Sequence, residues 1–114
     1  MRDLLLGIDV GTTAAKAALF QPDGQVQAVA QAAYPLNHIR PNWVEQNPED
    51  WWQAVCAAIQ QVNAAVPDAP QRIVGIAVSA QAPTLIALDA SGTPLRPALI
   101  WMDRRAEAEA QALG

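Results

Sequence analysis

The chain is poor in the residues that most often announce a function. It has one cysteine, Cys56, one histidine, His38, and one lysine, Lys16, in 114 residues. A lone cysteine excludes an internal disulfide framework and a cysteine-built metal site, and it fits a reducing compartment. No apolar run approaches the roughly 18 residues of a membrane span. The opening "MRDLLLGIDV" is too short in its apolar part, and too soon acidic, for a secretory signal. A soluble cytoplasmic protein with no membrane contact is expected. Seven Lys and Arg stand against eleven Asp and Glu, for a net charge of −4. The cations are scattered, so nucleic acid is not an expected partner. Two common phosphate loops, G-x-x-x-x-G-K-[ST] and G-x-G-x-x-G, are absent.

What is present reads as an ordered α/β chain. The composition is 52% hydrophobic and 16% charged, and one domain is the default at this length. Asp3–Val10 and Ala14–Phe20 read as apolar strands joined at hairpin spacing by Gly11, Thr12 and Thr13. "QPDGQ" is a turn, and Gln25–Ala33 alternates as a half-exposed third strand. Residues 34–46 hold two prolines and no sustained period, and read as a loop. A helix follows, with Asn47 as N-cap, Pro48 in its first turn and Pro67 beyond its end. Trp52, Val55, Cys56, Ile59, Val62 and Val66 would form its buried stripe. Arg72–Ala80 is apolar on both faces, as in a central parallel strand. Thr84–Leu88 and Pro97–Trp101 complete the strands, and a helix opens at Met102. The expected order is βββαβββα, or βββαββα without the last short strand. The chain stops among good helix formers, as a piece of a longer protein would.

One carboxylate, Asp9, interrupts the apolar run "LLLGIDV". A charge there needs a partner. The partner could be structural, an Arg or the turn amides. The alternative uses its neighbours. The amides of Gly11, Thr12 and Thr13 can form an anion nest, and the Thr hydroxyls add donors. A carboxylate beside such a nest suits Mg²⁺, which binds through few carboxylates and keeps waters. Asp9 with "GTT" therefore suggests a Mg-nucleotide phosphate site. Lys16 can reach a phosphate, or is simply a solvated side chain.

"GIDVGTTAAKAALF", "NWVEQNPEDWW" and "VSAQAPTLIALDASGTPLRPALIWMDRRA", in that order, resemble the N-terminal part of the FGGY carbohydrate kinases. The resemblance runs from about Leu4 to Leu113, and the xylulokinase type looks nearest. It implies the ribonuclease H-like fold of the actin, Hsp70 and sugar-kinase superfamily. It implies transfer of the γ-phosphoryl group of ATP to a sugar hydroxyl, with a pentulose such as xylulose as substrate. Carried over by position, Asp9 would hold Mg²⁺ through water near the transferring phosphate. Gly11, Thr12, Thr13 and Lys16 would attend the phosphates of ATP. Gln81, Ala82, Pro83, Thr84, Trp101 and Asp103 would border the sugar. The catalytic base and adenosine elements would lie further along, in a missing C-terminal part.

The chain departs from the family at one place. Xylulokinases usually carry Gln-Met-His-Gly where Gln81-Ala82-Pro83-Thr84 stands, so a side chain able to bond the sugar is replaced by two that cannot. Glycerol kinases usually carry an Arg-Glu pair near Pro83-Thr84, which is also missing. The alternatives are a glycerol or other polyol kinase, a non-catalytic binding or assembly module on the same fold, and an ATP hydrolase without a sugar. Trp101 could equally pack in a core, and Asp103 could N-cap the last helix. Trp51 and Trp52 read as helix packing, Trp43 as a loop cover, His38 as exposed and Cys56 as a small buried hydrophobe. A lobe without its other half exposes apolar surface, which favours self-association, including a homodimer.

Overall fold

Three strands follow one another as their turns predict: β1 (Leu4–Val10), β2 (Ala14–Phe20) and β3 (Val26–Ala33). The computed structural model describes residues 2–114. In the β2–β3 turn, Gly24 adopts φ +89°, and Asp23 Oδ1 accepts the Gln25 N–H at 3.0 Å. A helix, α1 (Pro48–Ala65), and one further turn, α2 (Ala69–Arg72), lead into β6 (Ile73–Ala80). β6 runs parallel to β1, giving a mixed sheet of order β3-β2-β1-β6. The short α2 carries no periodicity that announces it in the sequence.

The chain divides into two compact units. The first holds this sheet and α1, with the chain up to Tyr34 and Glu49–Ala80. Its core joins Leu4, Leu6, Ala17 and Leu19 of the sheet to Ala58 and Val62 of α1 and to Ala69. Each fully buried leucine contributes about 1.5–3 kcal/mol. A second cluster joins Ala15, Tyr34 and Ala54.

The helix has the expected bounds and keeps part of the expected stripe: Val62 is buried and Val55, Ile59 and Val66 pack against the core clusters, while Trp52 does not. Ala54, Ala58 and Val62 are its buried residues, and Trp52 is 62% exposed. Trp52 lies two residues from Ala54, about 200° around the helix, so it faces away. The sheet face beneath offers Ala15, Ala17, Ala28 and Ala30. Small residues there let the helix approach closely and favour small residues in return. Cys56 is half-buried rather than enclosed. β6 also differs from expectation: it stands at the sheet edge, not the centre. Val74, Ile76 and Val78 are exposed accordingly.

The second unit comprises Pro35–Pro48 and Gln81–Gly114. The expected loop contains a hairpin, β4 (Asn37–Arg40) and β5 (Trp43–Gln46). Its prolines punctuate it and do not forbid it: Pro35 precedes β4 and Pro41 lies in the connecting turn. β7 (Ala98–Leu99) pairs with β5 and is all that forms of the strand expected over Pro97–Trp101. The strand expected over Thr84–Leu88 is reduced to single bridges, Leu85 to Leu99 and Leu88 to Pro94. The turn beyond it forms as read. Asp89 Oδ1 accepts the N–H groups of Ser91 and Thr93, each at 2.9 Å, and Gly92 takes φ +86°. The last helix, α3 (Glu107–Leu113), begins five residues after Met102. Ala106 stands at its N-cap position, so Asp103 is not its cap.

Leu19→Ala should lower unfolding free energy by about 2–5 kcal/mol in a urea titration. Trp52→Ala should stay within about 0.5 kcal/mol of wild type. Equal losses would contradict the buried face described here.

Candidate functional site

The first unit presents Asp9 near the C-terminal end of β1. β1 alternates: Leu4 and Leu6 are buried toward α1, while Leu5 is 43% exposed and Asp9 is exposed on the opposite face. The carboxylate is therefore not a buried charge. Its face of the sheet is open, which removes the desolvation cost that its apolar neighbours in sequence suggest. Lys16 is its cross-strand partner on β2, and Ser79 its partner on β6. These three side chains rim a shallow depression of about 390 Å³ with an apolar floor that includes Gly7, Ala18 and Phe20.

The turn beside Asp9 is tightly specified. The Gly11 N–H donates to the Ala14 carbonyl at 3.0 Å. A Cβ at Gly11 would lie 3.1 Å from that carbonyl oxygen and 3.9 Å from Asp9 Oδ2. A side chain there would crowd the turn. The Gly11 amide is also spent within the turn, so a nest of three amides is not what the geometry offers. The Tyr34 N–H donates to the Thr13 carbonyl at 3.1 Å, and the Tyr34 hydroxyl bonds the carbonyls of Gly11 and Ala14. Burial, with the nearby negative charge of Asp9, pushes the Tyr34 hydroxyl up to about 12. It stays protonated, and a donor, at neutral pH.

The donor set suits Mg²⁺. Asp9 is one hard carboxylate in an open position, with the hydroxyl-bearing Thr12 and Thr13 in the adjoining turn. No group of three or more His, Cys, Asp or Glu gathers among the described residues, so no all-protein cage is offered. A site of one carboxylate plus substrate phosphates is the arrangement magnesium favours.

The second unit carries the residues assigned to the sugar. Pro83, Thr84, Trp101 and Asp103 line one open depression of about 290 Å³, with Leu85, Leu99, Ile100 and Arg105 among its other walls. Trp101 is half exposed, so it is not a core residue. Gln81 Nε2 donates to Gln46 Oε1 at 2.9 Å, and Gln46, 1% exposed, donates in turn to the Pro35 carbonyl. Gln81 Oε1 and Thr84 Oγ1 are buried without a hydrogen-bond partner among the described residues. Ala82 and Pro83 are exposed and contribute no side-chain donor.

Asp103 has other work. Its carboxylate accepts the Val44 N–H at 2.8 Å and the Arg105 N–H at 3.0 Å. It also pairs with the Arg105 guanidinium at 2.7 Å. Arg105 holds the Asp103 carboxyl below the usual carboxylate range. Arg105 also reaches Glu45 at 2.8 Å and lies 4.1 Å over the Trp43 ring. Glu45, 7% exposed, takes Arg96 as a second partner at 2.9 Å. Asp103 thus pins β5 to the segment before α3 and stands beside the depression mainly as structure. Glu45, Gln46, Arg105 and Tyr34 are not candidate site residues at the sequence level, and Trp43, read there as a loop cover, lies under the guanidinium groups of Arg40 and Arg105. A buried Glu in the apolar stretch "WVEQ" is the one signal that pointed to this cluster.

The element order and mixed sheet are those of the ribonuclease H-like fold found in sugar-kinase N-terminal domains. The solved xylulose kinase of Brucella ovis matches with a TM-score of 0.93 and 34% identity, over 96% of this chain and 23% of its own. That of Rhodospirillum rubrum matches with a TM-score of 0.91 and 31% identity, over 96% and 23%. The glycerol kinase of Thermococcus kodakarensis is 35% identical over 92% of this chain and 21% of its own length. The FGGY family of carbohydrate kinases, N-terminal domain, matches residues 4–114. The chain belongs to that family, and it spans only about a fifth of the length of the relatives it matches.

Asp103 is depressed in the folded state, so its stabilising effect is full above the unfolded value of about 4 and is lost as pH falls through the folded value. Thermal unfolding of Asp103→Asn should therefore fall less steeply than wild type between about pH 4 and pH 2. Parallel profiles would refute this.

Proposed function

We propose that the whole protein to which this chain belongs transfers the γ-phosphoryl group of ATP to a hydroxyl of a sugar, a pentulose such as xylulose. The observation that carries this reading is Asp9, exposed beside the Gly11–Thr13 turn in a chain of the FGGY family. Asp9 would hold Mg²⁺ through water. When bound, Mg²⁺ neutralises charge on the phosphates. Gly11, Thr12 and Thr13 would border those phosphates, and Lys16 is near enough along the hairpin to add a positive charge. Thr84, Trp101 and Gln81 would border the sugar: an aromatic wall with the buried acceptors Gln81 Oε1 and Thr84 Oγ1. In the reaction the sugar oxygen bonds to the γ-phosphorus, the bond to the bridging oxygen of ADP breaks, and the hydroxyl proton passes to a carboxylate outside these 114 residues. The chain's contribution is positioning and charge placement, the main sources of rate in phosphoryl transfer. The 114 residues alone should therefore not turn over ATP. A cytoplasmic location accords with the single cysteine, and among the described residues no helix is long and apolar enough to cross a membrane.

A glycerol or other polyol kinase is the second reading. It is favoured by relatives named glycerol kinase at 33–37% identity. Ala82 and Pro83 carry neither the pattern usual in xylulokinases nor the pair usual in glycerol kinases, so acceptor choice rests on the assay.

ADP release by the full-length protein, measured against pentuloses, hexuloses and polyols, tests both. A ketopentose should raise release above background, and Asp9→Ala should cut turnover by about 100-fold or more. Stimulation by glycerol alone would select the second reading. Sugar or nucleotide binding with no turnover would select a non-catalytic module. No response to any acceptor, with Asp9→Ala unchanged, would reject kinase activity.

A further inference from the structure

We infer that Tyr34 is a positioning residue for the nucleotide phosphates, holding the Gly11–Ala14 turn in the shape that receives them; this rests on the kinase reading above. Three of the four carbonyls of that turn are committed to one residue. The Tyr34 hydroxyl is shared between the Gly11 and Ala14 oxygens, and its backbone N–H takes the Thr13 oxygen. Tyr34 packs with Ala15 and Ala54, on the face of the sheet that α1 covers. Asp9 stands on the opposite face. The two residues therefore lie on opposite faces of the same hairpin.

The consequence for an anion follows from peptide geometry. A trans peptide points its C=O and the following N–H in opposite directions. Drawing the Gly11 oxygen toward Tyr34 turns the Thr12 N–H away from Tyr34. It also draws the negative end of the Gly11 carbonyl dipole toward the tyrosine hydroxyl. A phosphate approaching beside Asp9 then meets less carbonyl repulsion. Phenylalanine at this position would fill the same space and keep the backbone bond to Thr13. It would leave the Gly11 carbonyl without its side-chain donor and Ala14 with only the Gly11 N–H, so the turn would lose its fixed orientation. The chain around position 34 gives no hint of this at the sequence level, because Tyr34 sits twenty or more residues from the carbonyls it holds.

The test is Tyr34→Phe in the full-length protein, beside Val62→Ala, which loosens the α1 core away from the hairpin. KM for ATP should rise about tenfold in Tyr34→Phe, with KM for the sugar within about twofold of wild type. Val62→Ala should lower thermal stability without moving KM for ATP. Hydrogen exchange supplies a readout independent of turnover: the Gly11 amide should exchange faster in Tyr34→Phe, while the Ile8 and Ala17 amides keep their protection. The inference is overturned if Tyr34→Phe keeps the wild-type KM for ATP, or if Val62→Ala raises it equally. Turnover by wild type with an unchanged Tyr34→Phe would reject only the positioning role. A wild-type protein that phosphorylates no acceptor would reject the kinase reading, and the positioning role with it.

Discussion

The alternation of β1 governs the first unit. Leu4 and Leu6 must meet Ala58 and Val62 of α1, and a strand places successive side chains on opposite faces. Once that face is buried, Leu5, Gly7 and Asp9 are obliged to occupy the other. A slip of one residue would put the carboxylate under the helix and two leucines in water. The same packing that stabilises the sheet therefore sets the position of the Asp9 carboxylate. Pairing on both edges of β1, antiparallel to β2 and parallel to β6, then brings Lys16 and Ser79 alongside Asp9.

The second unit is organised differently. Its strands are short, and charge carries much of the connection between them. Arg105 touches Asp103, Glu45 and the Trp43 ring, and Arg96 shares Glu45. Buried carboxylates are tolerated here because Glu45 pairs with two arginines and Asp103 with one arginine and two backbone amides. The arrangement holds β5 and the segment before α3 together, and so frames the depression lined by Thr84 and Trp101. Of the stretch Gln81-Ala82-Pro83-Thr84, Pro83 and Thr84 line that depression, and Ala82 and Pro83 bring no side-chain donor. Gln81 is itself oriented by the buried Gln46.

Much of this was legible where the cause is local. The first three strands, the turns at Gly24 and Gly92, and the bounds of α1 follow from periodicity, glycine placement and Pro48. The failures have non-local causes. The β4–β5 hairpin depends on β7, some fifty residues on, so "NHIRPNWVEQ" shows little periodicity of its own. Thr84–Leu88 has strand-like composition but gains only two single bridges. Of the expected stripe on α1, Trp52 lies outside the buried face, because an alanine-rich sheet face favours Ala54 and Ala58 there.

For the site, the sequence by itself determined the family, the hairpin motif and the candidate residues, because "GIDVGTT" and "IWMDRRA" are contiguous and their chemistry is local. It also determined that Asp9 needed an explanation. Only the tertiary structure decided that Asp9 is exposed and not buried, that the Gly11 amide is spent on Ala14, that Asp103 is occupied by Val44 and Arg105, and that Tyr34 clasps the Gly11–Ala14 turn. Each of those facts concerns which side of a sheet is covered, or which distant donor reaches a carbonyl or carboxylate. Such partners are chosen when the chain packs, and no stretch of neighbouring residues encodes them alone.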